Sequence, residues 1–283
     1  MKTYLDCYPC LLGQALKVAR LSGADETQQQ VVVNRALDTL KEVSPSSTPP
    51  EIADLIYHVV REEGGAADLF QKAKEAATRQ ALALYPRSKA LVAEAEDPLE
   101  RAVRLAIAGN IIDLTSAKEY DLWDTVERVL DQAFAIEDSV AFREALASAE
   151  VVLYLGDNAG ETVFDRVLIE TLDLPVTYAV KGGSIVNDAT MEDATAAGLD
   201  EVAEVVSTGS DSLGTILDRC SDDFRRRYDE AQVIIAKGQS NYETLSSEGE
   251  RLFFLLRTKC PVIAQDVGVP ADSIVLKQGE KPS

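Results

Sequence analysis

Three short segments carry residue types and spacings that could do chemistry. In the first, VVLYL (Val151–Leu155) runs into Gly156-Asp157-Asn158-Ala159-Gly160-Glu161, after which the pattern turns helical. The side-chain oxygens of Asp157 and Asn158 suit a hard or borderline divalent ion such as Mg²⁺ or Mn²⁺. Gly156 and Gly160 let the backbone come close to a ligand. A helix starting at Glu161 turns its free N–H groups and positive end toward the same space, which favours an anion. Glu161 and Asp165 are four apart and share one helix face. Taken alone, the segment suits equally well a plain strand–turn–helix with Asp or Asn as N-cap. The second segment, Lys237-Gly238-Gln239-Ser240-Asn241 after QVIIA, repeats the theme with the opposite charge. It fits a phosphate cradle, or a turn with a solvated lysine. The third, after PVTYAV, is Lys181-Gly182-Gly183 followed by Ile185-Val186-Asn187-Asp188-Ala189-Thr190. Neither a P-loop nor a G-x-G-x-x-G is present. Acids that could hold a metal and lysines that could hold phosphate say more together than either does alone.

These segments need a scaffold that brings them to one place. The first half reads as helices: Cys7–Leu21, a second from Asp25 to about Val43, then Glu51–Glu62 and Ala66–Leu84 after the break SPSSTPP. Asp97-Pro98-Leu99-Glu100 is a start signal with Asp at N-cap, Pro at N1 and Glu at N3, for a helix running toward Asn110. Further helices are expected over Asp121–Phe134 and Val140–Ala147. The second half changes character. VVLYL, Pro175–Gly182, Glu204–Ser207 and Gln232–Gly238 read as short strands, with helices at Glu161–Leu172, Ser212–Ala231 and Glu248–Thr258 between or after them. PVIAQDVG (Pro261–Gly268) and SIVLK (Ser273–Lys277) close the series. Such alternation implies βαβ units and a mostly parallel sheet in a three-layer α/β domain. The expected division is residues 1–147 as an all-helical subdomain roofing the site and residues 148–283 as the α/β domain that binds metal and phosphate. Ligands of an open parallel sheet sit at the carboxyl ends of its strands, where all three segments fall.

Composition narrows the function classes. The chain has 283 residues, enough for one large domain or two lobes with a sizeable core. Its net charge of −20 at pH 7 argues against a nucleic-acid grip, which needs clustered Lys and Arg. A phosphorylated substrate would then need a metal or a few well-placed lysines. No apolar run approaches the ~18 residues of a membrane span, and the N-terminal residues lack a signal-peptide pattern, so the expected location is cytoplasmic. The single histidine, His58, lies within a helical pattern and reads as a packed or surface residue rather than a catalyst. Carboxylates, lysines or a metal must do any catalytic work. Cys7 and Cys10 share a helix face, whereas Cys220 and Cys260 have no partner at short spacing. Reduced thiols are the plain expectation in a cytoplasm.

GDNAGETVFD, KGGSIVNDAT, IIAKGQSNYETL and LLRTKCPVIA occur in the order found in the damage-control phosphatase family, once called domain of unknown function 89. AIAGNIIDLTS (Ala106–Ser116) resembles that family's Gly-Asn…Asp motif, and LDCYPCLL its prokaryotic subfamily with an N-terminal CxxC. The resemblance spans nearly the whole chain. It implies a helical subdomain on a Rossmann-like core and a metal-dependent phosphatase acting on small phosphorylated metabolites in a damage-control or house-cleaning role. The ion would be Mg, Mn, Co or Ni, with no organic cofactor. By the same resemblance Asp157, Asn158 and Asp188 match the metal ligands and Lys237 the phosphate-binding lysine. Asn110 and Asp113 match the helical contribution to the pocket. Gly160, Glu161, Lys181, Gly238, Ser240 and Asn241 complete the expected phosphate surroundings. Water activated by the metal, by Asp113 or by Glu161, and an aspartate nucleophile, all fit these residues. A different class fits as well: a nucleotide- or metabolite-binding sensor with a redox- or metal-responsive CxxC. Such a sensor needs the cradle but not the Asp157–Asn158–Asp188 set.

Overall fold

The computed structural model describes residues 1–44, 46–64, 70–110 and 122–281. Its first three helices, α1 (Cys7–Leu21), α2 (Glu26–Glu42) and α3 (Pro49–Gly64), bury one another's apolar stripes around Leu11, Ala15, Val32, Ala36 and Ile52. Asp25 starts α2 through a capping box with Gln28. The helices α4 (Gln71–Ala93), α5 (Pro98–Gly109) and α6 (Leu122–Leu130) follow. The start signal at Asp97 operates as the residue types require: the Glu100 amide donates to Asp97 Oδ1 at 3.1 Å. The chain then alternates through β1 (Phe134–Glu137), α7 (Ser139–Ser148), β2 (Val152–Leu155), α8 (Thr162–Thr171), β3 (Val176–Val180), α9 (Met191–Ala196) and β4 (Glu204–Ser207). It closes with α10 (Asp222–Glu230), β5 (Val233–Lys237), α11 (Gly238–Leu245), β6 (Leu252–Arg257), α12 (Pro261–Val267) and β7 (Ile274–Gln278).

The strands form a seven-stranded sheet in the order β1-β7-β6-β5-β2-β3-β4. Strands β2 to β6 run parallel, and β7 is antiparallel to β6. Alternation along each strand divides the core in two. Val152, Tyr154, Tyr178, Ile235 and Phe253 face α4 to α8 on one side. Leu153, Leu155, Ile234, Ala236 and Phe254 face α10, α11 and α12 on the other. The result is the expected α/β fold with a helical N-terminal part. The α1–α3 group also packs on Ile185 and Val262, which lie beyond the carboxyl ends of β3 and β6, so it sits over that end of the sheet.

Several boundaries differ from expectation, each for a physical reason. The stretch read as helical to Phe134 ends at Leu130, and residues 134–137 instead form β1 beside β7. The helix expected to stop at Leu84 continues to Ala93, past Pro86. Pro86 and Leu82 are exposed, so the carbonyl that Pro86 leaves unbonded faces water. The segment expected as helix over Glu248–Thr258 holds β6 (Leu252–Arg257) instead. It is buried on both faces, so its apolar run carries no two-residue period to mark it as a strand. Pro261–Val267 is helical, with Pro261 at its first turn and Gly268 as its left-handed C-cap. Residues 212–220 hold only a single 3-10 turn, Leu217–Arg219, rather than an α-helix, and Ser221 caps the shorter α10.

Candidate active site

The strand order reverses between β2 and β5. From β2 the chain steps to β3 and β4 on one side, and β5 pairs with β2 on the other. Loops leaving β2 and β5 therefore diverge and leave a crevice at their carboxyl ends. Asp157 follows β2 by two residues and Lys237 ends β5. Two glycines permit the close approach of these loops. A Cβ on Gly156 would stand 2.5 Å from the Tyr178 hydroxyl. Gly238 has φ +79°, and a Cβ there would stand 1.9 Å from Asp157 Oδ2, so the Asp157 carboxylate lies against a bare α-carbon.

The loop after β3 folds back to supply Asp188. The Ala189 amide donates to the Asp157 carbonyl at 2.8 Å and the Ala159 amide to the Asn187 carbonyl at 2.9 Å, and Asn158 and Asp188 form an antiparallel bridge. Asp157, Asn158 and Asp188 thus come together with their backbones knitted. From the helical side Asn110, the C-cap of α5, reaches the same place. Its amide donates to Asp157 Oδ2 at 3.0 Å and also to Glu161 Oε1. The Asn158 amide donates to the same two carboxylates. A pocket of about 210 Å³ opens over Asn110, Asp157, Asn158 and Asp188, with Gln14, Tyr57, Ser240 and Lys259 also in its wall.

Below the pocket lies a second layer. Lys237 is fully buried, and its ammonium donates to Asp165 Oδ1 at 2.7 Å and Glu161 Oε2 at 3.0 Å. Tyr154 and Tyr178, on adjacent strands β2 and β3, donate to the two Asp165 oxygens at 2.7 and 2.8 Å. Lys181 stands 3.5 Å from Asp188 Oδ2 but donates its hydrogen bond to the Gly214 carbonyl. Asp188 Oδ2 is buried and has no hydrogen-bond partner.

The charges do not balance. Four carboxylates, Asp157, Glu161, Asp165 and Asp188, face two ammonium groups, Lys181 and Lys237, and all six side chains are more than nine-tenths buried. Burial pushes the Asp157 carboxyl well above its usual range, and the neighbouring Glu161 and Asp188 push it further. Burial raises Asp188 to about 6 despite Lys181. Lys237 is the exception. Burial alone would lower it, but Asp165 and Glu161 outweigh that and raise it, so the ammonium stays charged. With all four acids ionised the shortfall equals one divalent cation, and Asp188 Oδ2, which accepts no hydrogen bond and has only the Lys181 ammonium at 3.5 Å, points to where it is felt. Oxygen donors from two carboxylates and an amide suit a hard ion. Among the described residues no cluster of three or more His, Cys, Asp or Glu side chains is set up to hold a metal, so Asn158 or water would have to complete the set.

The expected residues separate by position. Asn110, Asp157, Asn158, Asp188 and Ser240 line the pocket. Glu161, Lys181 and Lys237 lie behind it, each tied to a partner. Asn241 is fully buried and acts as a staple, donating to the carbonyls of Gly156 and Lys237 and accepting from Thr215. Gly160 lies in the short turn before α8, and Gly238 permits the contact with Asp157. Asp113 falls outside the described residues. Sequence reasoning missed Tyr154, Tyr178, Gln14, Tyr57 and Lys259, and used Asp165 only as a helix-face neighbour of Glu161. For the tyrosines the signal was a polar hydroxyl in each of two otherwise apolar strands.

The whole chain has known relatives. Residues 3–275 match the damage-control phosphatase ARMT1-like domain. A damage-control phosphatase of Pyrococcus horikoshii is 35% identical over 285 residues, covering 97% of each chain. One of Archaeoglobus fulgidus is 35% identical over 282 residues, covering 96% of this chain and 97% of that protein. An uncharacterised protein of Methanocaldococcus jannaschii is 32% identical over 288 residues, covering 96% and 94%. The crystal structure of a DUF89 family protein from P. horikoshii superposes with a TM-score of 0.90 at 34% identity, covering 99% of this chain and all of that one. With fold, length and motif order all in agreement, the chain belongs to the damage-control phosphatase ARMT1-like family.

Proposed function

We propose that this chain is a divalent-metal-dependent phosphomonoester hydrolase acting on small phosphorylated metabolites, with Asp157, Asn158 and Asp188 as the residues that hold the ion. The observation that carries the reading is the buried charge shortfall at the strand-order reversal, with an Asp188 oxygen inside it that accepts no hydrogen bond. The names of the P. horikoshii and A. fulgidus relatives support it. Bound there, Mg²⁺, Mn²⁺, Co²⁺ or Ni²⁺ would polarise phosphoryl oxygens and lower the pKa of a water. The chain's own residues do the rest. Asn110 and Asn158 fix the Asp157 and Glu161 carboxylates by amide donation. Lys237 anchors Glu161 and Asp165 and contributes positive potential from beneath the pocket. Ser240 and the exposed Lys259, both in the pocket wall, would donate to phosphoryl oxygens. The α1–α3 group and Asn110 roof the pocket and restrict water, which strengthens each of these charge contacts.

The test is phosphate release from an aryl phosphate by protein stripped with chelator and then given each of the four ions. Release with at least one ion, abolished by Asp157→Asn, is the expected result. No release with any of them overturns the reading and leaves a binding module in its place.

A further inference from the structure

The fold gives Cys260 the company its sequence spacing denies it. Cys7 and Cys10, the first and fourth residues of α1, and Cys260, between β6 and α12, line one pocket of about 350 Å³. This pocket shares Gln14, Leu213, Gln239, Ser240 and Lys259 with the pocket over Asp157 and Asp188, so the two cavities have a common wall. All three cysteines are free thiols: Cys7 is buried, Cys260 half-buried and Cys10 exposed. Gln14 Nε2, from that common wall, donates to Cys10 Sγ at 3.5 Å. Burial raises the thiols of Cys7 and Cys10, and the nearby Cys260 raises both further.

We propose that Cys10 and Cys260 form a reversible thiol modification site, joined as a disulfide by low-molecular-weight disulfides, and that this bond ties α1 to the α12 end across the wall of the active site and slows turnover. Cys10 is the entry point because it is exposed, whereas Cys7 is shielded. Cys260 is the partner because it belongs to a different part of the chain. A Cys7–Cys10 bond would span a single turn of α1 and restrain nothing beyond it. The Cys10 thiolate attacks one sulfur of the oxidant RS–SR, forms a mixed disulfide and expels RS⁻. The Cys260 thiolate then attacks the Cys10 sulfur and expels the second RS⁻. The two protons lost by the protein thiols go to the two leaving thiolates. Two protein thiols and one RS–SR thus become one protein disulfide and two RSH.

The turnover clause rests on the phosphatase reading; the disulfide does not. The experiment treats metal-loaded protein with oxidised glutathione or with dithiothreitol. It follows a non-reducing peptide map, the thermal midpoint and phosphate release from an aryl phosphate. Expected are a Cys10–Cys260 peptide, a raised midpoint because the bond closes nearly the whole chain into a loop, and a several-fold fall in turnover that dithiothreitol reverses. Cys10→Ser and Cys260→Ser abolish all three responses, and Cys7→Ser keeps them. A map showing no cross-link or only Cys7–Cys10 overturns the proposal, as does a complete Cys10–Cys260 bond with unchanged turnover. If dithiothreitol-treated protein releases no phosphate with any ion, it is the phosphatase reading that fails, and map and midpoint alone decide the thiol site.

Discussion

Substituting Gly238 by Ala isolates the contact between the β5 loop and the Asp157 carboxylate. Gly238 has φ +79° and Gly268 has φ +82°, so an alanine in either place adopts the same left-handed backbone. That costs about 1–2 kcal/mol. For a chain of this size it lowers the midpoint by roughly 2–4 °C per kcal/mol. The two sites differ in what the new methyl meets. At Gly268 nothing lies within 4 Å, whereas at Gly238 the Cβ would be 1.9 Å from Asp157 Oδ2 and 2.4 Å from its Cγ. The carboxylate must retreat by more than about 1 Å to restore ordinary contact. Its hydrogen bonds from Asn110 and Asn158, at 3.0 and 3.1 Å, then break or lengthen. A misplacement of about 1 Å in a positioned group costs roughly 10²-fold in rate. Gly238→Ala is therefore expected to lose about two orders of magnitude in kcat/KM with an aryl phosphate at saturating Mn²⁺, while Gly268→Ala loses stability alone. Wild-type kcat/KM in Gly238→Ala would refute the argument, and so would an equal loss of activity in Gly268→Ala.

Lys237→Met leaves Glu161 and Asp165 buried without their cation and is expected to destabilise the protein by about 3–5 kcal/mol, read from urea unfolding; an unchanged midpoint would show that the ion pair is not formed in solution. Asp188→Asn removes one of the unbalanced buried charges, so the metal-free protein should melt higher than wild type while the rise produced by Mn²⁺ disappears; a full-sized Mn²⁺ response would place the ion elsewhere. Asn110→Ala takes a shared donor from Asp157 and Glu161 and should lower kcat/KM by roughly 10². A variant that melts earlier yet turns over normally would make Asn110 a structural cap only.

What could be read from sequence depended on how local the signal was. Asp157 and Asn158 follow β2 within three residues and Asp188 lies eight residues beyond β3, in loops that α/β alternation already places at the same end of the sheet. Asp97 and Asp25 announced their helices because a cap acts on residues three positions away. β6 was hidden because a central strand buried on both faces has no polar alternation, and β1 because four residues at a sheet edge leave almost no pattern. The surroundings of Lys237 were hidden for another reason. Its partners come from α8 and the turn before it and, through Asp165, from two strands, and a lysine held by acids reads in sequence like one that awaits a phosphate.

The position of β7 has a consequence for biosynthesis. It is the last strand in the chain but lies inside the sheet, between β6 and β1, with Phe134 paired to Ile274. At a translation speed of about 5–20 residues per second, β1 waits on the order of ten seconds for its neighbour to leave the ribosome. For only the last few seconds of that interval, between the synthesis of β6 (Leu252–Arg257) and that of β7, the edge of β6, an almost wholly apolar strand, stands open to pairing with another nascent chain. Completion of the sheet is an insertion between two waiting strands rather than an addition at the rim. A ribosome that stalls before Ile274 would release a chain with a gap in its sheet, a substrate for chaperones rather than a nearly finished enzyme.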